Sequence, residues 1–160
     1  MAKVQVGILM GSRSDLPKME KAAEVLKLFE VPHEMWVLSA HRLPDRVAKY
    51  AKKSEKRGIQ VLIAGAGMAN HLAGALAAHC TLPVIGVPLT GSALNGLDAL
   101  CATVQMPKGV PVATVAIDGA ANAAYLAVEI LSLQNKALQS RLKKYRSDER
   151  AKLEANLPKE

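Results

Sequence analysis

VQVGILMGSRSD, residues Val4–Asp15, begins as an apolar run and ends in a glycine, two serines and an aspartate. An apolar run of this length, bounded by turn residues, reads as a buried strand over Val4–Met10. Leu16, Met19, Ala23, Leu26 and Phe29 then recur at helical spacing, with Pro17 in the first turn and Ser14 or Asp15 as the cap. This strand, polar loop and helix form a unit that repeats along the chain. EMWVLSA (Glu34–Ala40) precedes a polar helix from Pro44 to about Arg57, closed by Gly58. QVLIAGAG (Gln60–Gly67) leads into a helix through HLAGALAAHC. LPVIGVPL (Leu82–Leu89) leads into SALNGLDALCA, a helix weakened by Gly96. VPVATVAI (Val110–Ile117) leads into the alanine-rich GAANAAYLAVEILSL, and an amphipathic helix follows from about Lys136 to Leu153.

Strands that are apolar throughout and alternate with helices imply a parallel sheet covered on both faces. The expected fold is therefore α/β: a three-layer sandwich with a central parallel sheet of about five strands, flavodoxin/Rossmann-like. In such sheets ligands bind beyond the carboxyl ends of the strands. The loops there are GSRSD, SAHRLP, GAGMANH and PLTGS, and they hold nearly every chemically suggestive residue of the chain.

The bulk composition agrees with a self-sufficient core. A chain of 160 residues, half of them hydrophobic, implies one domain over 1–160 with no need of disulfides or metal. Cys80 and Cys101 show no metal-ligand spacing and read as small buried residues in a reducing compartment. The opening MAKVQVGILMGS is too short for a membrane span and lacks a small-residue cleavage site, so a cytoplasmic protein without a membrane role is expected. The net charge of +7 suggests nucleic acid, but the chain has one Phe, one Trp and three Tyr, too few for stacking platforms. A positive field that attracts small phosphorylated metabolites is the simpler expectation. The helix from Gly119 to Leu131 has almost no polar face. Such a helix needs more than one neighbour to bury it. A homo-oligomer is expected, with residues 119–155 contributing to its packing; the alternative is that the last helix covers it.

Three of the loops carry chemistry. Gly11 permits a tight turn, Ser12 and Ser14 offer hydroxyls, and the helix N-terminus offers free N–H groups, so GSRSD suits a phosphate. It lacks the length and the lysine of a triphosphate loop. Asp15 suits ribose hydroxyls rather than phosphate. Helix capping alone would explain the same residues. In SAHRLP, Ser39 and Arg42 suit a phosphomonoester. His41, whose side chain type titrates near neutrality, could give and take a proton in one cycle, unless it is only an exposed loop histidine. GAGMANH lacks the third glycine of a dinucleotide fingerprint. Its glycines allow close approach to a flat ligand, and His71 could face that ligand. His33 and His79 read as structural. The absence of HExxH, CxxC and clustered carboxylates implies no metal.

MGSRSD, SAHRLP, AGAGMANHLAG, LPVIGVP and VQMPKGVPVATVAI, in this order, resemble the class I 5-(carboxyamino)imidazole ribonucleotide mutase family, PurE, of purine biosynthesis. The resemblance covers essentially the whole chain. It implies a carboxylate migration without cofactor, ATP or metal. By motif, it implies that Gly11, Ser12, Ser14, Asp15, Ser39, Ala40 and Arg42 bind the ribose phosphate. His41 matches the catalytic histidine, and Gly65, Ala66, Gly67, His71 and Leu72 lie in the loop that lines the base pocket. It also implies a dihedral octamer with sites at subunit junctions, and a transient contact with the enzyme supplying the carbamate is conceivable on the basic tail. Met68, Asn70 and Ala73 depart from one common form of this loop, AGAGGAAHLPG. The direct carboxylase class resembles AGRSNxLSG here and carries lysine after SAH, so Arg42 and His71 favour the mutase. The mechanism expected is loss of carbon dioxide from the carbamate, its retention in a dry cavity, and recarboxylation at the ring carbon, with His41 moving the proton. The rivals are a direct aminoimidazole ribonucleotide carboxylase, a non-catalytic ribonucleotide-binding protein and, from charge alone, a nucleic-acid module.

Overall fold

The computed structural model describes residues 3–157, so Met1 and Ala2 of the opening run and residues 158–160 lie outside the described residues. Five strands form one sheet: β1 (Val6–Met10), β2 (His33–Val37), β3 (Val61–Ala66), β4 (Val84–Pro88) and β5 (Ala113–Thr114). The helices of the described chain are α1 (Leu16–Leu28), α2 (Pro44–Arg57), α3 (Leu72–Ala77), α4 (Leu97–Val104), α5 (Ala120–Ser132) and α6 (Lys136–Ala155).

All strand pairs are parallel, in the order β2-β1-β3-β4-β5. This is the flavodoxin-like order, whose direction of winding reverses between β1 and β3. Ile8 of β1 sits opposite Met35 of β2 on one side and Ile63 of β3 on the other. Successive side chains point to opposite faces. Val6, Ile8, Met10, Val61, Ile63, Ile85 and Val87 join the core made with α1, α5 and α6. Leu9, Leu62, Ala64 and Val84 join the core made with α2 and α3. Each fully buried Leu or Ile contributes about 1.5–3 kcal/mol by leaving water, so both faces of the sheet need their helices.

Close approaches explain two strand glycines. A Cβ on Gly7 would stand 2.3 Å from the Tyr50 hydroxyl, and one on Gly65 would stand 2.3 Å from the Met19 sulfur. The Tyr50 hydroxyl uses the space at Gly7 while donating to Glu34 at 2.7 Å, and Arg57 pairs with the same carboxylate. Burial pushes the Tyr50 phenol upward, and the Glu34 carboxylate adds to that shift. Burial opposes the charge on Glu34, but the hydrogen bonds from Arg57 and Tyr50 outweigh it and hold its pKa below the ordinary glutamate value.

Several boundaries differ from the sequence reading. The strands are shorter than their apolar runs, and β5 retains two residues of the expected Val110–Ile117 because it pairs only with β4. β2 is also an edge strand, and its Trp36 and Val37 are exposed rather than covered. α4 starts at Leu97, not Ser92. Gly96 is its N-cap at φ 88°, a left-handed conformation that glycine adopts without strain. The face of α5 formed by Ala120, Ala123, Ala124, Ala127, Val128 and Leu131 is buried within this chain, in the core shared with α1 and α6. The apolar character of this helix thus has an explanation inside one subunit. No described helix is long and apolar enough to cross a membrane.

Candidate active site

The reversal between β1 and β3 leaves a cleft above the carboxyl ends of those strands. A cavity of about 740 Å³ lies there, walled by the loops that follow β1, β2, β3 and β4. Its position follows from topology: the chain leaves β1 toward one face of the sheet and β3 toward the other, so their loops part.

The first wall is the turn into α1. Ser12 caps a short 3-10 turn over Arg13–Asp15, accepting from the Ser14 amide at 3.4 Å and the Ser14 hydroxyl at 2.9 Å. The Asp15 carboxylate accepts from the Ser12 amide at 2.9 Å, which completes a capping box. Such a cap is worth about 1 kcal/mol. Asp15 is the N-cap of α1 by position, yet its side chain turns back to Ser12 instead of capping α1. Gly11, Ser12, Ser14 and Asp15 all line the cavity. Capping and a role toward a ligand are therefore compatible in the same four residues. Burial raises the Asp15 pKa, only partly offset by the Ser12 amide and the positive charges of Lys18 and Arg42.

The second wall is SAHR. Leu38 donates to the Met10 carbonyl at 2.8 Å and carries the β1–β2 ladder up to this loop. The Ser39 hydroxyl accepts from the Arg42 amide at 3.3 Å, and Arg42 Nη2 donates to the Gly11 carbonyl at 3.0 Å. Ser39, Ala40, His41 and Arg42 therefore face the cavity as one turn, tied to the first wall.

The third wall follows β3. Ala66, Gly67, His71 and Leu72 line the cavity, and so does Met68 at φ 53°. Gly65 does not. It is the fifth residue of β3, and its missing side chain would point at Met19 in the core rather than into the cleft. His71 is the N-cap residue of α3, and its Nδ1 lies 2.8 Å from Nε2 of His41. The two rings meet edge to face, with centroids 4.9 Å apart. Asn70, buried beside His71, donates to the Val87 carbonyl at 3.3 Å and to the Thr103 hydroxyl at 2.9 Å. It pins the loop to β4 and α4.

Lys18, Ala69, Thr90 and Gly91 complete the lining and were not singled out individually by the sequence reading. His33 and His79 lie away from the cavity, each with Nδ1 close to a backbone carbonyl. Among the described residues, no group of three His, Cys, Asp or Glu side chains stands close enough to hold a metal ion.

The cavity can therefore present hydroxyls and one guanidinium to an anion, with two imidazoles in contact beside them. That combination fits an anchored phosphoester whose other end undergoes proton transfer.

Known proteins are similar to this chain over most of its length. The chain is 61% identical over 144 residues to the N5-carboxyaminoimidazole ribonucleotide mutase of Pyrococcus abyssi, covering 90% of this chain and 83% of that one. It is 53% identical over 145 residues to the phosphoribosylaminoimidazole carboxylase of Saccharomyces cerevisiae, covering 91% of this chain but 25% of that larger protein. The crystal structure of Treponema denticola PurE superposes with a TM-score of 0.87 at 31% identity, over 95% of both chains. The family described as AIR carboxylase matches residues 5–152, nearly the whole length, and the chain belongs to that family.

Proposed function

We propose that the chain is an isomerase of purine biosynthesis that converts 5-(carboxyamino)imidazole ribonucleotide to 5-amino-4-carboxyimidazole ribonucleotide. The observation that carries this reading is the His41–His71 contact at the rim of a cleft lined by Ser12, Ser14, Ser39 and Arg42. The mutase activity named for the Pyrococcus relative supports it.

Ser12, Ser14, Ser39 and Arg42 hold the phosphate, and Asp15 accepts from the ribose hydroxyls. The guanidinium gives a planar, charge-assisted contact that a phosphomonoester matches. Ala66, Gly67 and Leu72 shape the side on which the flat heterocycle lies. In the first step the bond from the exocyclic nitrogen to the carboxylate carbon breaks. His41 delivers a proton to that nitrogen, and carbon dioxide is released within the cleft. The ring carbon then attacks carbon dioxide, and neutral His41 removes the ring proton to restore aromaticity. Atoms and protons balance, since the proton given in the first step is recovered in the second. Confinement supplies a high effective concentration of the trapped gas, worth up to ~7–11 kcal/mol in well-oriented cases.

The protein acts in the cytoplasm as a homo-octamer with sites near subunit junctions, and residues 119–155 contribute to its packing. The exposed Trp36 and Val37 on the edge of the sheet, with Leu94 and Leu97 beyond β4, support an assembly that covers apolar surface. Sedimentation of the purified protein tests this; a monomer at micromolar concentration overturns it.

The decisive assay supplies the carbamate nucleotide in buffer freed of bicarbonate. Formation of the ring carboxylate at the rate of carbamate loss is expected. Turnover only from aminoimidazole ribonucleotide plus bicarbonate identifies a direct carboxylase instead. Binding without turnover of either identifies a ribonucleotide-binding protein.

A further inference from the structure

Lys18 lies in the first turn of α1 and lines the cavity, with its ammonium turned to Thr90 and Asp118. Nζ donates to the Thr90 carbonyl at 2.9 Å, donates to the Thr90 hydroxyl, and lies 3.1 Å from Asp118 Oδ1. Two of the ammonium's three hydrogens go to Thr90, and Asp118 supplies the opposite charge within ion-pair distance. Thr90 is fixed from its other side too. Its amide donates to Asp118 Oδ1 at 2.9 Å and its hydroxyl to Asp118 Oδ2 at 2.6 Å. Asp118 in turn donates its amide to the Pro88 carbonyl at 2.8 Å, from a backbone at φ 57°. One lysine therefore ties the first helix to the turns after β4 and β5.

Beyond Thr90 the turn is closed by local bonds, Ser92 Oγ donating to Asp98 Oδ1 at 2.8 Å and the Leu94 amide to Ser92 Oγ at 3.2 Å, so its tie to α1 is the Lys18 contact. Gly91 sits at φ 130°, and a Cβ there would meet nothing within 4 Å. Asn95 and Gly96 are also left-handed, at φ 49° and 88°. The third wall packs on this turn: a Cβ on Gly67 would stand 3.2 Å from the Leu89 carbonyl and 3.7 Å from that of Thr90. The Leu89 amide also donates to the Ala66 carbonyl at 3.0 Å. The segment that ends in His71 is thus seated on the segment that Lys18 fastens.

We propose that Lys18 is a positioning residue: by locking Thr90 to α1 and Asp118, it fixes the wall that seats Gly67–His71 and so sets the His41–His71 contact. This role rests on the proposed mutase reading. A displacement of about 1 Å in a reacting group costs on the order of a hundredfold in rate, so a loosened wall acts on the chemical step.

The test compares wild type with Lys18→Met, Lys18→Arg and Thr90→Val by hydrogen exchange and by steady-state kinetics. Lys18→Met keeps the aliphatic stem and loses the charge. Exchange is expected to quicken in residues 90–96 and 67–71 and to stay unchanged in β1 and α5. The kcat is expected to fall about ten- to a hundredfold with KM within about twofold. Lys18→Arg restores part of kcat, because a guanidinium still reaches the carboxylate. Thr90→Val gives the same pattern more weakly, and it decides the matter if Lys18→Met does not fold. Unchanged exchange in either segment, unchanged kcat, or a rise in KM alone overturns the proposal. If wild type itself does not turn over the carbamate, the functional reading fails, and the exchange pattern still decides whether the lock exists.

Discussion

His41 Nε2 stands 2.8 Å from His71 Nδ1, and the planes of the two rings are 82° apart. Whichever ring donates the shared hydrogen, the contact leaves His41 Nδ1 and His71 Nε2 as the outer atoms. A proton taken up at one outer atom can leave at the other. His41→Asn and His71→Asn should therefore both lower kcat, the first by about 100- to 10,000-fold, as for loss of a general acid–base. Ribonucleotide affinity, read by calorimetry, should remain within a few fold of wild type in both. A His41→Asn variant that keeps most of its rate removes His41 from the mechanism.

Arg42 is tied to the first wall of the cavity by its bond to the Gly11 carbonyl. Arg42→Ala should weaken ribonucleotide binding about ten- to a hundredfold, in line with a lost charge-assisted hydrogen bond. Calorimetric titration checks this. Unchanged affinity would put the phosphate elsewhere in the cleft.

Asp15 is a carboxylate at odds with its surroundings. Burial raises its pKa despite the Ser12 amide and the nearby cations. A carboxyl whose folded pKa exceeds its unfolded value destabilises the fold at neutral pH, and that cost is relieved as pH falls from the folded value to the ordinary, unfolded one. Asp15→Asn should raise the melting temperature at pH 7 while weakening ribonucleotide binding. Differential scanning calorimetry and titration measure the two effects. A melting temperature that falls would mean the capping box outweighs burial.

Glu34 has the opposite sign. Its folded pKa is depressed, so the stabilisation it gives is fully present above the ordinary glutamate value and is lost as pH falls through the lower, folded value. Glu34→Gln should flatten the acid limb of the stability curve. Denaturant midpoints taken between neutral and acid pH show it. Parallel limbs for the variant and wild type would mean that the Arg57 and Tyr50 contacts do not couple to folding.

Gly65→Ala tests a packing role. The added methyl displaces a buried Met19 side chain, which costs about 1–3 kcal/mol. The melting temperature should drop by several degrees with ribonucleotide affinity preserved. Loss of affinity without loss of stability would return Gly65 to the site.

Most of the architecture is legible in the chain because apolar runs and helical spacing are local signals. The site is legible where its residues are neighbours in sequence, as in GSRSD and SAHRLP. What escapes is set at a distance. His41 and His71 each stand out alone, but only the fold shows that they touch across 30 positions. Lys18 carries no signal at all, since Thr90 is 72 positions away. Gly65 misleads because a glycine in an apolar run does not declare which face of the sheet it occupies. Gly96 looks like a weak point inside a helix, and it turns out to be the residue that starts one.

The SAHR turn hangs from β2, and β2 is flanked by a neighbour on one side only. Outer strands open more readily than inner ones. Unless the proposed assembly covers that border, warming is expected to loosen the SAHR turn before the interior of the sheet, so that activity is lost at a lower temperature than the fold. The temperature ceiling for activity would then be set by one border strand and not by the robustness of its interior.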